Sequence, residues 1–338
     1  MRFIHTADWH VGGSSFLPDH LERSEQVIRS IYDLAKSKDI FTIVMAGDVF
    51  EDSDTTREQR DLVERLLLEY DSAGFTTLVI PGNHDIIDRA GTKTALSYLS
   101  LLTINNRFFN SVVTETTKLH IIDDVAFLLL CHRPKHFKED AEVAIQNVIK
   151  RGGYSKLVVV AHELIKGSVL DNNFKMETGA VVPSLPIDFF ALGDIHLCQK
   201  MSPIAYYSGA PYQLKFGDSD KKGVFVVDTD QDKIVPEFVE IPSKKFVIIR
   251  TLNKEEIPED CYVKVVTADP EISNIELPDN VVKKEFVRDV ELAISLDSGA
   301  GLKDNLVSGV KQQLESDENV MELMSIAEIE IESLLAEV

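Results

Sequence analysis

Cysteine is scarce in this chain of 338 residues: Cys131, Cys198 and Cys261 are the three, scattered and without C-x-x-C spacing. An odd, dispersed set argues against a disulfide framework or a thiolate zinc site and fits a reducing compartment. Long apolar runs are also missing. No stretch approaches the ~18 consecutive apolar residues of a membrane span, and no basic segment followed by an apolar one opens the chain as a secretory signal would. These absences predict a cytoplasmic protein with no membrane partner, or one of the host cytoplasm if its origin is viral. Positive charge is the third shortage. Lys and Arg number 35 against 56 Asp and Glu, a net charge of −21, which argues against a general electrostatic grip on nucleic acid. The shortage is uneven: residues 239–338 hold 10 basic against 22 acidic residues, so any nucleic-acid contact is expected in the first two thirds. Internal repeats and low-complexity tracts are absent.

What is present is a series of short apolar runs, each ending in polar residues of one kind. Arg2 to Ala7 reads as a buried strand and stops at Asp8-Trp9-His10. Pro18-Asp19 starts a helix with Leu21, Ile28, Ile31, Tyr32 and Ala35 on one face. Residues 41–46 form a second predicted strand, ending in Gly47-Asp48-Val49-Phe50. A helix is predicted over 55–73. The strand Thr76 to Ile80 runs into Pro81-Gly82-Asn83-His84-Asp85. This alternation implies a parallel sheet covered by helices. Further on, 118–122 and 125–131 read as a hairpin turning at Asp123-Asp124. A helix follows near 138–150, then a strand 157–161 ending in His162-Glu163, and a loop over 166–180. The strand 188–192 ends in Gly193-Asp194-Ile195-His196, and 206–211 and 223–228 read as two more. Pro242-Ser243 is the expected domain boundary. Beyond it 246–251 and 262–267 look like strands of a smaller unit, and 302–338 is expected to be helical, with an apolar stripe from Val320 to Leu335.

The strand-end residues Asp8, His10, Asp48, Asn83, His84, His162, Asp194 and His196 supply carboxylates, one amide oxygen and imidazoles. Mixed nitrogen and oxygen donors without thiolate suit Mn²⁺, Fe or Zn²⁺ rather than Ca²⁺. Seven ligands are too many for one tetrahedral site and suit two ions about 3.5–4 Å apart, a device for phosphoester hydrolysis in which a carboxylate such as Asp48 bridges. His5, His20, His120, His132 and His136 read as ordinary polar or satisfied residues.

The order DWH, GDVFED, GNHD, AHE and GDIH resembles the calcineurin-like metallophosphoesterases. HTADWH at the start, YSGAPYQLKFGD after the last of these motifs and KGVFVVDTD beyond it narrow the resemblance to the SbcD-type nuclease subunits of the meiotic-recombination-eleven family. The resemblance covers roughly residues 1–240. It implies an α/β fold: a two-sheet metallophosphoesterase sandwich flanked by helices over 1–242, a small α+β capping or DNA-recognition domain over 243–298, and a C-terminal helical segment over 299–338 that binds an ATPase partner. It further implies two Mn²⁺ (or Mg²⁺ or another divalent ion), one held by Asp8, His10, Asp48 and His196, the other by Asp48, Asn83, His162 and Asp194. His84 would be the proton donor and Asp85 would orient it. One departure stands out: the family usually carries Gly-His-x-His where this chain has Gly193-Asp194-Ile195-His196, which bears on metal preference more than on fold.

The function so implied is a metal-dependent DNA nuclease subunit, an exonuclease on duplex ends and an endonuclease on single strands or hairpins, in a DNA repair or recombination complex. Its partners would be DNA, an SbcC-like coiled-coil ATPase and a second copy of the chain, a homodimer formed through helices near 55–100, where Leu62, Leu66, Leu67, Leu96, Leu99 and Leu102 offer apolar surface for a bundle or equally for the core. Arg57, Arg60, Arg89 and Lys93 would give a local DNA grip. Two other readings compete: a phosphodiesterase or phosphatase on a small nucleotide or phosphoprotein, since fold does not settle substrate, and a non-catalytic structural subunit, motivated by Asp194 alone. The stripe at 320–335 is core packing or a partner-binding helix.

Overall fold

In the computed structural model the described residues are 1–286 without 89–91, 132–136, 171–173, 251, 270 and 271. The elements follow the apolar runs. β1 (Arg2–Thr6) leads to α1 (His20–Ser37), then β2 (Thr42–Ala46), α2 (Arg57–Ser72), β3 (Thr76–Ile80), α3 (Ser97–Ile104) and β4 (Val112–Val113). The hairpin is β5 (Lys118–Ile122) and β6 (Val125–Leu129); α4 (Phe137–Arg151), β7 (Lys156–His162) and β8 (Phe189–Gly193) follow. β9 (Gln199–Lys200), β10 (Ala205–Tyr207), β11 (Gly223–Asp228) and β12 (Glu237–Glu240) complete the two large sheets. β13 (Lys245–Ile249), β14 (Cys261–Thr267) and β15 (Val281–Phe286) form a third. Local chemistry fixes several ends. Asp123 and Asp124 both take positive φ at the hairpin turn. Thr56 and Gln59 cap α2 reciprocally, Thr56 Oγ1 accepting from the Gln59 amide and Gln59 Oε1 from the Thr56 amide.

The first sheet runs β12-β11-β1-β2-β3-β4 and the second β5-β6-β7-β8-β10-β9. β1, β2, β3 and β4 pair in parallel, as do β6, β7 and β8. Strand alternation sorts the core into layers. Phe3, Val44, Ala46, Leu78 and Ile80 meet Phe127, Val158, Val160, Phe189 and Ala191 between the sheets. The neighbouring residues Ile4, Ile43, Met45 and Val79 point the other way, into a core with Ile28, Ile31, Leu62 and Leu66 of α1 and α2. Ala126, Leu128, Val159, Phe190 and Leu192 pack on Ala141, Ile145 and Val148 of α4. The result is the expected α/β sandwich of two sheets flanked by helices. Residues 1–266 and 273–285 form one compact unit. Within it the third sheet packs through Phe246 and Tyr262 on Leu17, with Phe216 and Val282 beside them.

Some expectations shift. The strand predicted at 206–211 is three residues long and begins at Ala205, because the chain turns at Gly209 with φ +73°. Leu62, Leu66, Leu67, Leu96 and Leu99, offered as a dimer surface, are buried in the core under the first sheet, and Leu102 is partly buried against it. A helix face packed on its own sheet has the same periodicity as one waiting for a partner. The exposed large apolar residues in that stretch and just after it are Ile87, Leu101, Ile104 and Phe109. The helices expected over 299–338, with their stripe, lie outside the described residues, as does Arg89.

Candidate metal centre

Parallel strands end on one edge, and that is where polar side chains of an α/β sheet converge. Here the ends of β1, β2 and β3 meet those of β7 and β8, so residues far apart in the chain face one another. The turns that make this possible are unusual. Asp8, His10, Asp48 and Asp194 all have positive φ, at 54°, 44°, 54° and 102°, a sparsely populated region for non-glycine residues that costs on the order of 1 kcal/mol or more each and clusters at functional sites. Two glycines of the motifs are required by close approach. A side chain on Gly47 (φ +88°) would collide with the His162 ring, and one on Gly193 with the Ala46 carbonyl.

The innermost residues, Asp8, His10, Asp48, His162 and Asp85, are buried, at most 1% exposed. His162 Nδ1 donates to the Ala46 carbonyl at 2.8 Å, which leaves Nε2 to face Asn83 Oδ1 at 2.8 Å, Asp48 Oδ2 at 3.3 Å and Asp194 Oδ1 at 3.7 Å. His10 Nδ1 stands 3.0 Å from Glu51 Oε2, so its Nε2 turns inward, 3.5 Å from Asp48 Oδ2 and 3.0 Å from His196 Nε2. Asp48 thus lies between two imidazoles, its Oδ1 accepting from the His84 amide at 2.9 Å. Asp8 Oδ1 accepts from the Asp194 amide at 3.0 Å, while Asp8 Oδ2 is buried without a hydrogen-bond partner.

This donor set fits metal ions. With Nδ1 of His162 donating, a neutral ring points a lone pair at an amide oxygen and a carboxylate, and two imidazole nitrogens oppose each other between His10 and His196. Each of these contacts needs a positive charge between its atoms, supplied by a proton on one imidazole, which makes it a hydrogen bond, or by a metal ion in the proton's place. Three triads are close enough to hold an ion: Asp8, His10 and His196; His10, Asp48 and His84; Asp8, Asp48 and His162. The electrostatics carry the same message. Burial pushes the Asp8 carboxyl up to about 7. Burial also opposes ionisation of Asp48, yet His162 and His10 hold it well below the usual carboxylate range. Burial opposes a proton on His162, but Asp48, Asp8 and Asp194 carry its pKa well above the ordinary value. Burial, then His10 and Lys222, push His196 down to about 2.

All eight strand-end residues are therefore brought together, His84 at the exposed rim. Its ring lies 4.8 Å from that of His10, and its Nδ1 donates to the Glu51 carbonyl at 2.6 Å. Here one expectation is corrected. Asp85 does not hold the His84 ring: its carboxylate accepts from the amides of Val49 (3.2 Å), Phe50 (3.0 Å) and Gly82 (2.9 Å). It orients the loop, and the Glu51 backbone orients the ring. Three participants escaped sequence reasoning. Glu51 fixes His10 by its side chain and His84 by its carbonyl. Lys222, buried, donates from Nζ to the His196 carbonyl at 2.9 Å. Tyr212 donates to the Trp9 carbonyl at 2.8 Å, between two ligand candidates. All three sit in the motifs GDVFED, KGVFVVDTD and YSGAPYQLKFGD, which were the available signal. Of the DNA-contact candidates, Arg57 is exposed and within 3.4 Å of Asp61, Arg60 donates to the Thr55 carbonyl at 2.9 Å, and Lys93 is exposed.

Residues 1–198 match the family model described as calcineurin-like phosphoesterase. Curated relatives include the DNA double-strand break repair protein Mre11 of Methanopyrus kandleri, 26% identical with 78% of this chain and 62% of the relative covered. The SbcD component of the SbcCD nuclease of Bacillus subtilis is 27% identical, with 68% and 66% covered. That of Staphylococcus epidermidis is 24% identical, with 81% and 76% covered. The chain spans just under two thirds of the first two. Among the described residues no helix is long and apolar enough to cross a membrane.

Proposed function

The chain belongs to the calcineurin-like phosphoesterase family, and we propose that it is a metal-dependent DNA nuclease subunit, exonucleolytic on duplex ends and endonucleolytic on single strands or hairpins, in an SbcCD-like repair or recombination complex. One observation carries this reading: seven nitrogen and oxygen donors converge at the strand ends of both sheets, with one histidine, His84, on the open rim. The names of the relatives favour DNA as the substrate.

In this reading Asp8, His10, Asp48 and His196 hold one divalent ion and Asp48, Asn83, His162 and Asp194 the other. Two such ions supply Lewis acidity to the phosphodiester and lower the pKa of water. A third carboxylate, Asp194, in place of an imidazole suits Mn²⁺ or Mg²⁺. The chain does the rest. Glu51 and the Ala46 carbonyl fix the tautomers of His10 and His162, keeping Nε2 of each toward the ions. Lys222 pins the His196 backbone. His84 keeps its Nδ1 proton on the Glu51 carbonyl, which leaves Nε2 to face the leaving oxygen as the proton donor.

With a net charge of −21, the chain leaves much of the DNA grip to an SbcC-like ATPase docked on residues 299–338, while Arg57, Arg60, Arg89 and Lys93 contribute locally. Residues 243–298 serve as the capping or DNA-recognition domain. A homodimer uses the exposed Leu101, Ile104 and Phe109 rather than the buried leucines. The complex works in the cytoplasm.

The test is digestion of end-labelled linear duplex in Mn²⁺ by the chain and by His84→Ala, alone and with the ATPase, beside bis(p-nitrophenyl) phosphate. Degradation by the wild type and not by the variant is expected. Hydrolysis of the small diester without DNA cleavage under either condition would move the assignment to a small-nucleotide phosphodiesterase. No turnover of either would leave a structural subunit.

A further inference from the structure

Opposite the ligand candidates stands a turn that the chemistry above does not use. Residues 213–218 are braced from behind. Asp218, buried, accepts at Oδ2 from the amides of Leu214 (2.8 Å) and Lys215 (3.2 Å), and its own amide donates to the Lys215 carbonyl at 3.3 Å. Gln213, also buried, donates from Nε2 to the Asp218 carbonyl at 3.0 Å. Gly217 takes φ +94°. The bracing leaves Lys215 and Gly217 exposed and Phe216 half-buried at the tip.

This tip and the metal centre share one space. A cavity of about 420 Å³ is lined by Asp194 and His196, by Lys215, Phe216, Gly217 and Asp218, and by Leu170. The half-buried Phe216 ring thus gives an apolar surface to the same space that the polar side chains of Asp194, His196 and Lys215 border. The ring is also firmly backed: Phe246 lies 4.7 Å from it, and Phe16, itself half exposed, stacks at 6.1 Å with 28° between the planes. A rigid aromatic face beside a phosphate-binding centre, with a lysine next to it, is how sequence-tolerant single-strand sites are built, because every base has a π face and every linkage a charge.

We propose that the Lys215–Phe216 turn is a nucleobase subsite, in which Phe216 stacks one unpaired base next to the phosphodiester at the metal centre while Lys215 holds the adjacent phosphate. The proposal rests on the nucleic-acid reading above and deepens it. The base must leave its duplex partner to reach the ring, so the subsite selects single strands, hairpin loops and frayed ends. Stacking needs no hydrogen-bond readout, so sequence preference is weak.

The experiment compares single-stranded oligonucleotides with one cleavable linkage, intact or abasic at the nucleotides flanking it, on the wild-type chain, Phe216→Ala and Phe216→Trp. The wild type is expected to lose about tenfold in kcat/KM on the abasic substrate, Phe216→Ala to show a penalty within about twofold, and Phe216→Trp to restore it. Affinity for the same pair, read by fluorescence anisotropy on His84→Ala, supplies the discrimination without turnover. Lys215→Gln should flatten the salt dependence of binding by about 0.7 in log–log slope, one single-strand phosphate contact. An abasic penalty absent from the wild type, or equal in wild type and Phe216→Ala, would overturn the subsite while leaving the nuclease reading intact, and would make Phe216 packing for the third sheet alone. Failure of the chain to bind or cut any oligonucleotide while it hydrolyses bis(p-nitrophenyl) phosphate would overturn both.

Discussion

The inner and outer halves of the metal centre are built differently. Asp8, His10, Asp48, His162 and Asp85 lie inside the sandwich, and most are locked by backbone partners such as the Ala46 carbonyl and the Asp194 amide. Asn83 and His84 are exposed, and Asp194 and His196 partly so. The inner half is continuous with the core and gathers negative charge where water cannot screen it. The outer half is where a substrate can arrive. Burial therefore separates two kinds of effect: inner changes should damage metal binding and stability together, rim changes at Asn83, Asp194 and His196 metal binding with little loss of stability, and a change at His84 chemistry alone.

The largest effect expected is from Asp48→Ala. It removes the carboxylate set between His10 and His162, and turnover should vanish with loss of at least one bound ion per chain, read by calorimetry. His84→Ala follows, costing about 10²–10⁴ in kcat, with urea unfolding and metal stoichiometry unchanged; a loss of metal would erase the distinction between the halves. Asp85→Ala strips an acceptor from three buried amides and should destabilise by roughly 3 kcal/mol in urea unfolding. An effect confined to kcat would restore a direct role on His84. The smallest concerns His5, buried behind the cleft with Nε2 donating to the Leu192 carbonyl at 3.1 Å. Burial lowers its pKa to about 3 from 6.5. The folded state thus resists the proton that the unfolded chain accepts, so its contribution is present above pH 6.5 and is lost as pH falls toward 3. Between pH 6.5 and 5 the wild type should lose about 1.5 kcal/mol that His5→Phe does not. Parallel pH profiles of the two would assign the slope elsewhere.

Much of this was legible from residues alone. Apolar runs located β1, β2, β3, β7, β8 and β11, because strands buried on both faces must be continuously apolar. The ligand candidates were legible because each sits just past such a run. What escaped has physical reasons. β4 and β9 are two residues long, too short for a pattern. In α3 a serine, Ser100, is buried beside Leu99 while Leu101 and Ile104 are exposed, so polarity does not mark its inner face. Periodicity marked Leu62 and Leu66 as a face without saying that the first sheet covers it. Glu51, Tyr212 and Lys222 act on backbone carbonyls or from behind a ligand candidate, and such partnerships exist only once the chain is folded.

The central claim is that the converging donors form a centre for two ions that share Asp48. Calorimetric titration of the metal-free chain with Mn²⁺, beside His84→Ala and Asp48→Ala, tests it most directly. The account predicts two ions per chain for the wild type and for His84→Ala, and at most one for Asp48→Ala. One ion in the wild type, or two retained without Asp48, would contradict it.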